Sequence, residues 1–460
     1  MKPATPEAYD LLHHGCIALS NVEANGMRID VEYLNKTSKN LKREIEDLEH
    51  DLKSSDVFKM WKREFGVRTN LGSREQFGKI LFDVLGHECK ERTATGKPKM
   101  DSATIASIDE PFAKTFVEIE QLKKIKNTFL AGIQKQVCGE FIHPVFNLHT
   151  VQTYRSSSDS PNFQNFPVRD PKAGELIRRC FIPRDGHRIV EVDFTGLEVR
   201  IAACYHNDPV MLEYIHDTTK DMHRDMAAEC FKCEPEQVSK QMRYCGKNMF
   251  IFPQFYGDYY LNNAKALWES IDTFNHEIDG VPAKEHLKRN GIQRLGACDP
   301  SEKPRPRTFE RHLQSVERDF WTKRFKVYGQ WKKEWFNEYL KNGGFSTLTG
   351  FKIEGVLGRN DVINYPVQGS AFHCLLWSLI QLNRWMTKRK MRSKIVGQIH
   401  DSIVADVHEE ELEEFLKTAQ QIMTKRIRKR FDWINVPLDV EAEVTPINGS
   451  WYEKKEFAIK

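Results

Sequence analysis

Two aspartates that close apolar, β-branched runs are the first residues in this chain with a chemistry to offer. Val190-Glu191-Val192-Asp193-Phe194 reads as a strand ending in a carboxylate, and Ile399-His400-Asp401 puts Asp401 at the tip of a hairpin. Either alone is ordinary, because aspartate is common in turns. If their strands are neighbours, the two carboxylates together can hold hard cations. Magnesium takes one or two protein carboxylates and fills the rest of its shell with water and phosphate oxygens. Two such ions clamp the attacking and leaving oxygens of phosphoryl transfer. Arg243 and Lys247 stand four residues apart, which on a helix puts both cations on one face. That face is either simply solvated or a clamp for a triphosphate, where positioning and charge stabilisation supply most of the catalysis. Phe250, Phe252, Phe255 and Tyr256 follow at once. Such rings fill a core, and here they also offer a stacking surface beside the cations.

The elements that must position these groups are legible in outline. Tyr9 to Asn25 reads as a helix, followed by Gly26 and an extended Met27–Asp30. Leu41, Ile45, Leu48 and Leu52 keep helical spacing within a helix expected over 34–65. Thr69-Asn70-Leu71-Gly72-Ser73 is a turn that caps a helix near 73–86, residues 93–97 form a loop, and 110–136 form a further helix with Lys123, Lys124 and Lys126. From Arg178 to Asp193 the pattern is two β-rich runs around the turn Pro183–Gly186. Helical patterns fill about 196 to 340, broken by a loop of proline and charge over 298–307. A last hairpin spans about 394–407 with its turn near Asp401-Ser402. Helix-rich ends around a strand-rich middle point to an α+β fold with segregated layers.

Composition bounds the rest. A chain of 460 residues is too long for one core and holds two to four domains. Forty per cent hydrophobic residues, with 28 Phe, 13 Tyr and 9 Trp, exclude a disordered chain. The net charge of +4 is mild for a nucleic-acid binder, so clustering of charge matters more than its sum. Of ten cysteines only Cys230 and Cys233 have ligand-like spacing, and a lone C-x-x-C with no second pair is weak evidence for zinc. Scattered cysteines suit a reducing compartment. With no membrane-length apolar stretch and no signal-peptide core, the expected location is cytoplasmic.

Six segments, in order, resemble the polymerase region of family A DNA polymerases, the DNA polymerase I family, and the likeness runs from about residue 8 to the C-terminus. Residues 193–200, D-F-T-G-L-E-V-R, are similar to motif A, usually D-Y-S-x-I-E-L-R. The run Arg243 to Gly257 resembles motif B, R-x-x-x-K ending in Y-G. His400-Asp401-Ser402 resembles motif C, usually H-D-E. Residues 153–167 are similar to T-G-R-L-S-S-x-x-P-N-L-Q-N-I-P, residues 221–224 to the D-x-H segment, and residues 364–369 to N-x-P-x-Q-G. One such match is weak, whereas six in the family's order are specific.

The resemblance implies a template-directed DNA polymerase that adds deoxynucleotides to a primer 3′ end. It implies that Asp193 and Asp401, with the backbone carbonyl of Phe194, bind two Mg2+ ions. Arg243, Lys247 and His223 would hold the triphosphate, and Lys247 would also protonate the leaving group. Glu198 would exclude a 2′-hydroxyl, and Tyr256 would lie beside the nascent base pair. Arg155, Asn364, Gln368 and His400 would contact primer or template near the minor groove, whose acceptors are common to all base pairs. The implied fold is a right hand: an N-terminal segment (1–35) packed on the palm, a helical thumb (36–140), an antiparallel-sheet palm (141–205 and 346–460) and helical fingers (206–345). The partners implied are primer–template DNA and deoxynucleoside triphosphates, with no membrane. Nothing before Met1 resembles a 3′–5′ exonuclease domain, so no such activity is expected of this chain, and a separate exonuclease or processivity factor has room to act.

This sequence departs from the pattern at two further points. Ser402 takes the place of the usual Glu after Asp401, which removes a third acidic group. The run from Lys247 to Gly257 is one residue longer than usual and contains Pro253. At about 100° per residue, nine residues put Tyr256 half a turn out of phase with Lys247, and Pro253 cannot donate to the carbonyl of Met249. A single π-turn around 248–253 absorbs one residue and restores the phase. Counting back four from Tyr256 then makes Phe252 the aromatic beside the sugar, with Ile251 the alternative. Two other readings stand beside this one. Glu198 argues against a single-subunit RNA polymerase, and the joint presence of Asp193, Asp401, Arg243 and Lys247 argues against an inactive DNA-binding scaffold.

Overall fold

The computed structural model describes residues 2–89, 92–93, 96–167 and 170–459. Helix α1 (Pro6–Asn25) begins where Thr5 accepts the Ala8 amide at 3.2 Å and Pro6 presets the first φ. Its buried stripe is Ala8, Leu11, Gly15, Ala18, Leu19 and Val22, at helical spacing. Gly15 lets Leu376 approach so closely that a Cβ would stand 2.8 Å from its Cδ2. Gly26, at φ +63°, ends the helix and turns the chain into the strand Met27–Ile29.

Helix α2 (Val31–Ser54) is capped by Asp30, which accepts the Tyr33 amide at 2.8 Å. The single helix expected over 34–65 is two. Ser55 is extended, and its hydroxyl caps a second helix, Asp56–Phe65, by accepting the Phe58 amide at 3.1 Å. Serine offers the backbone this alternative, and a cap of this kind contributes about 1 kcal/mol. Helix α3 (Pro111–Lys124) runs through a π-turn (Ile125–Leu130) into Ala131–Gln136 and packs on α2. Trp61, Phe77, Phe112 and Phe116 form the local core, with Phe77 and Phe116 stacked at 4.0 Å. Within the expected 93–97 loop, Ala94 and Thr95 lie outside the described residues.

The two β-runs expected around Pro183–Gly186 do not form a hairpin. Arg178 closes a helix (Pro171–Arg178), and Phe181–Ile182 pairs with Met27–Ile29 in a separate sheet. Turn residues specify a reversal, not a partner. The second run is β1 (His187–Phe194). It is the middle strand of a five-stranded antiparallel sheet with β2 (Lys394–Ile399), β3 (Ser402–His408), β4 (Val440–Val444) and β5 (Lys455–Glu456), in the order β2-β3-β1-β4-β5. Val190, Val192 and Phe194 are buried on one face of β1, and Glu191 and Asp193 point to the other. The hairpin β2–β3 turns at His400-Asp401, with His400 at φ +48°.

Between β1 and β2 the chain is mostly helical: α4 (Leu197–His206), α5 (Met222–Phe231), α6 (Lys240–Gly246), a π-turn (Lys247–Ile251), α7 (Phe252–Tyr256), α8 (Lys326–Asn342) and the 31-residue α9 (Arg359–Arg389). A short hairpin, Glu277–Ile278 with Val281–Pro282, interrupts the expected helical run. Cys230 is buried in α5, and among the described residues no group of three or more His, Cys, Asp or Glu is arranged to hold a metal. No helix among the described residues is long and apolar enough to cross a membrane.

Candidate active site

Backbone pairing brings the two aspartates together. Asp193 ends β1 opposite Ser402, the residue after Asp401, and the Phe194 amide donates to the Asp401 carbonyl at 3.3 Å. Glu441 of β4 faces Asp193 from the other side. Asp193 opens to a cleft but has protein around most of it. That burial, with the charges of Asp401, Glu191 and Glu441, raises its carboxyl to about 7. Burial and then Glu198 raise Asp401 to about 6, against the pull of Arg155. Two carboxylates brought together at this energetic cost, one on β1 and one in the β2–β3 turn, form a donor set of the kind hard divalent cations take.

The cleft beside them is a cavity of about 270 Å3 lined by Arg155, Glu198, Phe252, Tyr256, Asn364, Gln368, His400 and Asp401, among others. Eight of the expected site residues therefore line one cavity, and Asp193 and Phe194 are not among its lining residues. Glu198, in the first turn of α4, is held from both sides. Arg155 donates to one carboxylate oxygen at 2.8 Å and the Tyr256 hydroxyl to the other at 2.5 Å. Burial and Glu198 together keep the Tyr256 phenol protonated by raising it above its usual range. Asn364 of α9 donates to the Tyr256 carbonyl at 3.0 Å. Burial and the charge of Arg155 lower His400. Gln398, two residues before His400, is fastened to Ser156 and Gln164, which ties residues 153–167 to β2.

Arg243, Lys247 and His223 do not line this cavity but adjoin it through Phe252. The Lys247 ammonium stands 5.2 Å from the Phe252 ring centroid, and the His223 ring 6.2 Å from it. Arg243 donates to Asp221 at 2.5 Å and lies 3.3 Å from His223 Nδ1. Burial and the two cations push His223 down to about 4. Its neutral ring can therefore accept from Arg243. Gly246 allows α6 and α5 this contact, since a Cβ there would meet the His223 carbonyl at 2.9 Å.

The expected helix irregularity is a π-turn over Lys247–Ile251, in which the Phe252 amide reaches back five residues to the Lys247 carbonyl. It brings Lys247, Phe252 and Tyr256 to one face, with the two rings 6.5 Å apart. Ile251 is fully buried, so Phe252 is the residue at the cavity. Just past it, Lys332 of α8 donates to the carbonyls of Gln254 and Phe255 at 3.0 and 3.3 Å. Three groups of this neighbourhood were missed in the sequence: Glu191, Glu441 and Lys332. Glu191 had a signal, its period-two spacing from Asp193. Glu441 and Lys332 depend on which elements pair, and no local pattern carries that.

A family model described as DNA polymerase family A matches residues 31–273 and 353–453. The DNA polymerase of Bacillus phage SP01 is 26% identical over 467 aligned positions, covering 89% of this chain and 46% of the relative. DNA polymerase I of Pseudomonas aeruginosa is 27% identical, covering 95% and 43%, and the thermostable DNA polymerase I of Thermus thermophilus is 27% identical, covering 92% and 46%. The chain thus spans less than half the length of these curated relatives. Among solved structures, the POL domain of Pol1 from M. smegmatis, in complex with DNA primer-template and dNTP, superposes with a TM-score of 0.73 at 22% identity, over 96% of this chain and 70% of that one. The fold is the right-hand polymerase fold. With most of its length inside the family match, and with both aspartates, the cationic helix and Glu198 inside it, this chain belongs to DNA polymerase family A.

Proposed function

We propose that this chain is a template-directed DNA polymerase that joins deoxynucleotides to a primer 3′ end. The observation that carries the reading is that backbone pairing sets Asp193 of β1 beside Asp401 of the β2–β3 turn, next to a cleft that Asp401 lines together with Phe252 and Tyr256 of α7. The primer 3′-hydroxyl attacks the α-phosphate of the incoming nucleotide, and pyrophosphate leaves. Two magnesium ions, held by Asp193, Asp401 and the Phe194 carbonyl, would neutralise charge on the attacking and leaving oxygens. Arg243, Lys247 and the neutral His223 offer donors to the triphosphate, and Lys247 also supplies a proton to the leaving oxygen. Glu198, clamped by Arg155 and Tyr256, fills the space a 2′-hydroxyl would need. Phe252 faces the sugar, and Tyr256 the nascent pair. Arg155, Asn364, Gln368 and His400 read the minor-groove edge. In this reading the sheet is the palm (141–205 and 346–460), residues 206–345 are fingers, 36–140 are thumb, and 1–35 brace the palm.

Extension of a labelled primer on a DNA template, run with deoxy- and ribonucleotides in parallel, tests this. Template-matched extension by deoxynucleotides, absent in Asp193→Asn, is expected. No extension by a folded parent that binds DNA would overturn the proposal, and a preference for ribonucleotides would replace it with an RNA polymerase. The same primer incubated with magnesium and no nucleotides is expected to keep its length.

A further inference from the structure

The acidic floor of the site contains a carboxylate that neither the motifs nor the mechanism above uses. Glu191 precedes Asp193 by two residues on β1, so both side chains leave the same face of the strand. Its side chain is only 13% exposed. A carboxylate so buried is costly unless it is paired and hydrogen-bonded, and this one is. The Lys454 ammonium donates to it at 2.7 Å and the Trp451 indole at 3.2 Å, while the buried Arg178 guanidinium lies 4.1 Å over the Trp451 ring. Lys454 also bonds Glu443, the cross-strand partner of Glu191 on β4. The Lys454 ammonium and the Arg178 guanidinium thus face the two carboxylates Glu191 and Glu443, and of the two carboxylates Glu191 is the one on the same strand face as Asp193.

The link to the reacting end is Ser402. It follows Asp401 directly, it is the register partner of Asp193, and its hydroxyl lies 3.2 Å from Glu191 and 2.9 Å from the Ile399 carbonyl. The residue that departs from H-D-E is therefore the one in contact with the extra acid. Were Glu191 merely half of a buried ion pair, an apolar replacement of the whole cluster could serve as well. Its place in the Asp193 row and its contact with Ser402 argue for more than that.

We propose that Glu191 is a positioning residue that supplies from β1 the acidic group missing at Ser402, and that Lys454 sets how much of its charge reaches Asp193 and Asp401. The inference rests on the cation-dependent polymerase reading. A unit charge about two strand residues away, in partly screened surroundings, changes divalent-cation affinity about three- to tenfold.

The test is Mn2+ binding to the DNA-free full chain, followed by electron paramagnetic resonance, beside the Mg2+ concentration that half-saturates primer extension. Glu191→Gln, which keeps the shape, is expected to weaken both about threefold or more. Adding Ser402→Glu to that variant is expected to restore both to within about twofold of the parent, and Lys454→Met to tighten Mn2+ binding. A purely structural role would lower Tm, leave Mn2+ affinity in place and give no rescue by Ser402→Glu, and that result overturns the proposal. Should Glu191→Gln fail to fold, Lys454→Met decides alone, and unchanged or weaker Mn2+ binding overturns it. Extension by the parent judges the polymerase reading separately: a parent that never extends primers defeats that reading, whereas one that does, with Mn2+ affinity indifferent to Glu191, defeats only this inference.

Discussion

At the scale of single residues, the site sets function against stability. Asp193 in the folded chain keeps its proton to about pH 7, whereas an ordinary aspartate releases it near 3.8. Between these values the folded state binds more protons than the unfolded one, so stability falls as pH rises through the window. Asp193→Asn removes that loss. Because the side chain opens to the cleft, solvent screens most of the effect, and about 1 kcal/mol remains. Metal-free Asp193→Asn should therefore melt above the parent at pH 8 and level with it near pH 4, while extension falls by about 10^3-fold or more. A variant that extends primers near the parent rate defeats the assignment. Glu198→Ala should raise ribonucleotide use relative to deoxynucleotides by about tenfold or more, read as the ratio of kcat/KM values; an unchanged ratio means that another group guards the sugar. Phe252 has no hydroxyl to stand in for a missing 3′-hydroxyl, so dideoxynucleotides should be used poorly. Phe252→Tyr should relax that bias by about tenfold or more, measured by chain termination in mixed pools.

At the scale of elements, what the sequence showed and hid divides along physical lines. The π-turn was legible because a helix has a fixed period, and a proline plus one surplus residue leave few ways to restore it. Hairpin β2–β3 was legible from its alternation and turn. The break at Ser55, the hairpin at 277–282 and the strand β4 were not, because short elements owe their existence to partners distant in sequence. For the same reason the paired aspartates could be named from type and position, while Glu441 opposite Asp193 could not. Lys332 is another such case, a buried side chain that holds the end of α7. Burial and then the charge of Arg359 push its ammonium down to about 7, against the pull of Glu317, and the ammonium lies 3.9 Å from the Trp321 ring centroid and 5.2 Å from that of Tyr328. Its ordinary value is 10.5, so the unfolded state binds more protons between about 7 and 10.5, and stability rises with pH over that range. Lys332→Met should flatten this part of the profile in urea titrations at pH 7 and 9.5. It should also lower kcat several-fold, because two carbonyls beside Tyr256 lose their donor, a loss of about 1–3 kcal/mol. A kcat equal to the parent's would show that α7 needs no such tie.

At the scale of the whole molecule, charge is unevenly shared. Residues 274–352, which lie between the two family-matched segments, contain 16 Lys and Arg against 10 Asp and Glu, which leaves 53 against 55 for the rest. Lys326 and Lys333 from this segment, with Arg359 of α9, line a groove that also takes in Asn360 and Gly257, the residue after Tyr256. Affinity for primer–template should fall steeply with salt. Lys326→Ala with Lys333→Ala should reduce the slope of log affinity against log salt by about one to two, as read by fluorescence anisotropy; an unchanged slope places those lysines away from phosphate.

The order of strands in the main sheet has a consequence in time. Its middle strand, β1, is made first, and both neighbours come much later in the chain: β3 begins at Ser402 and β4 at Val440. A ribosome adding about 5–20 residues per second needs roughly 10–40 s to travel from Asp193 to Asp401. Throughout that interval β1 has two open edges and an apolar face of Val190, Val192 and Phe194 with no sheet around it, the kind of strand that invites pairing with other chains. Nascent chains halted between residues 200 and 400 should thus be the most chaperone-dependent and aggregation-prone species this protein passes through, and release from that state should coincide with synthesis of the β2–β3 hairpin.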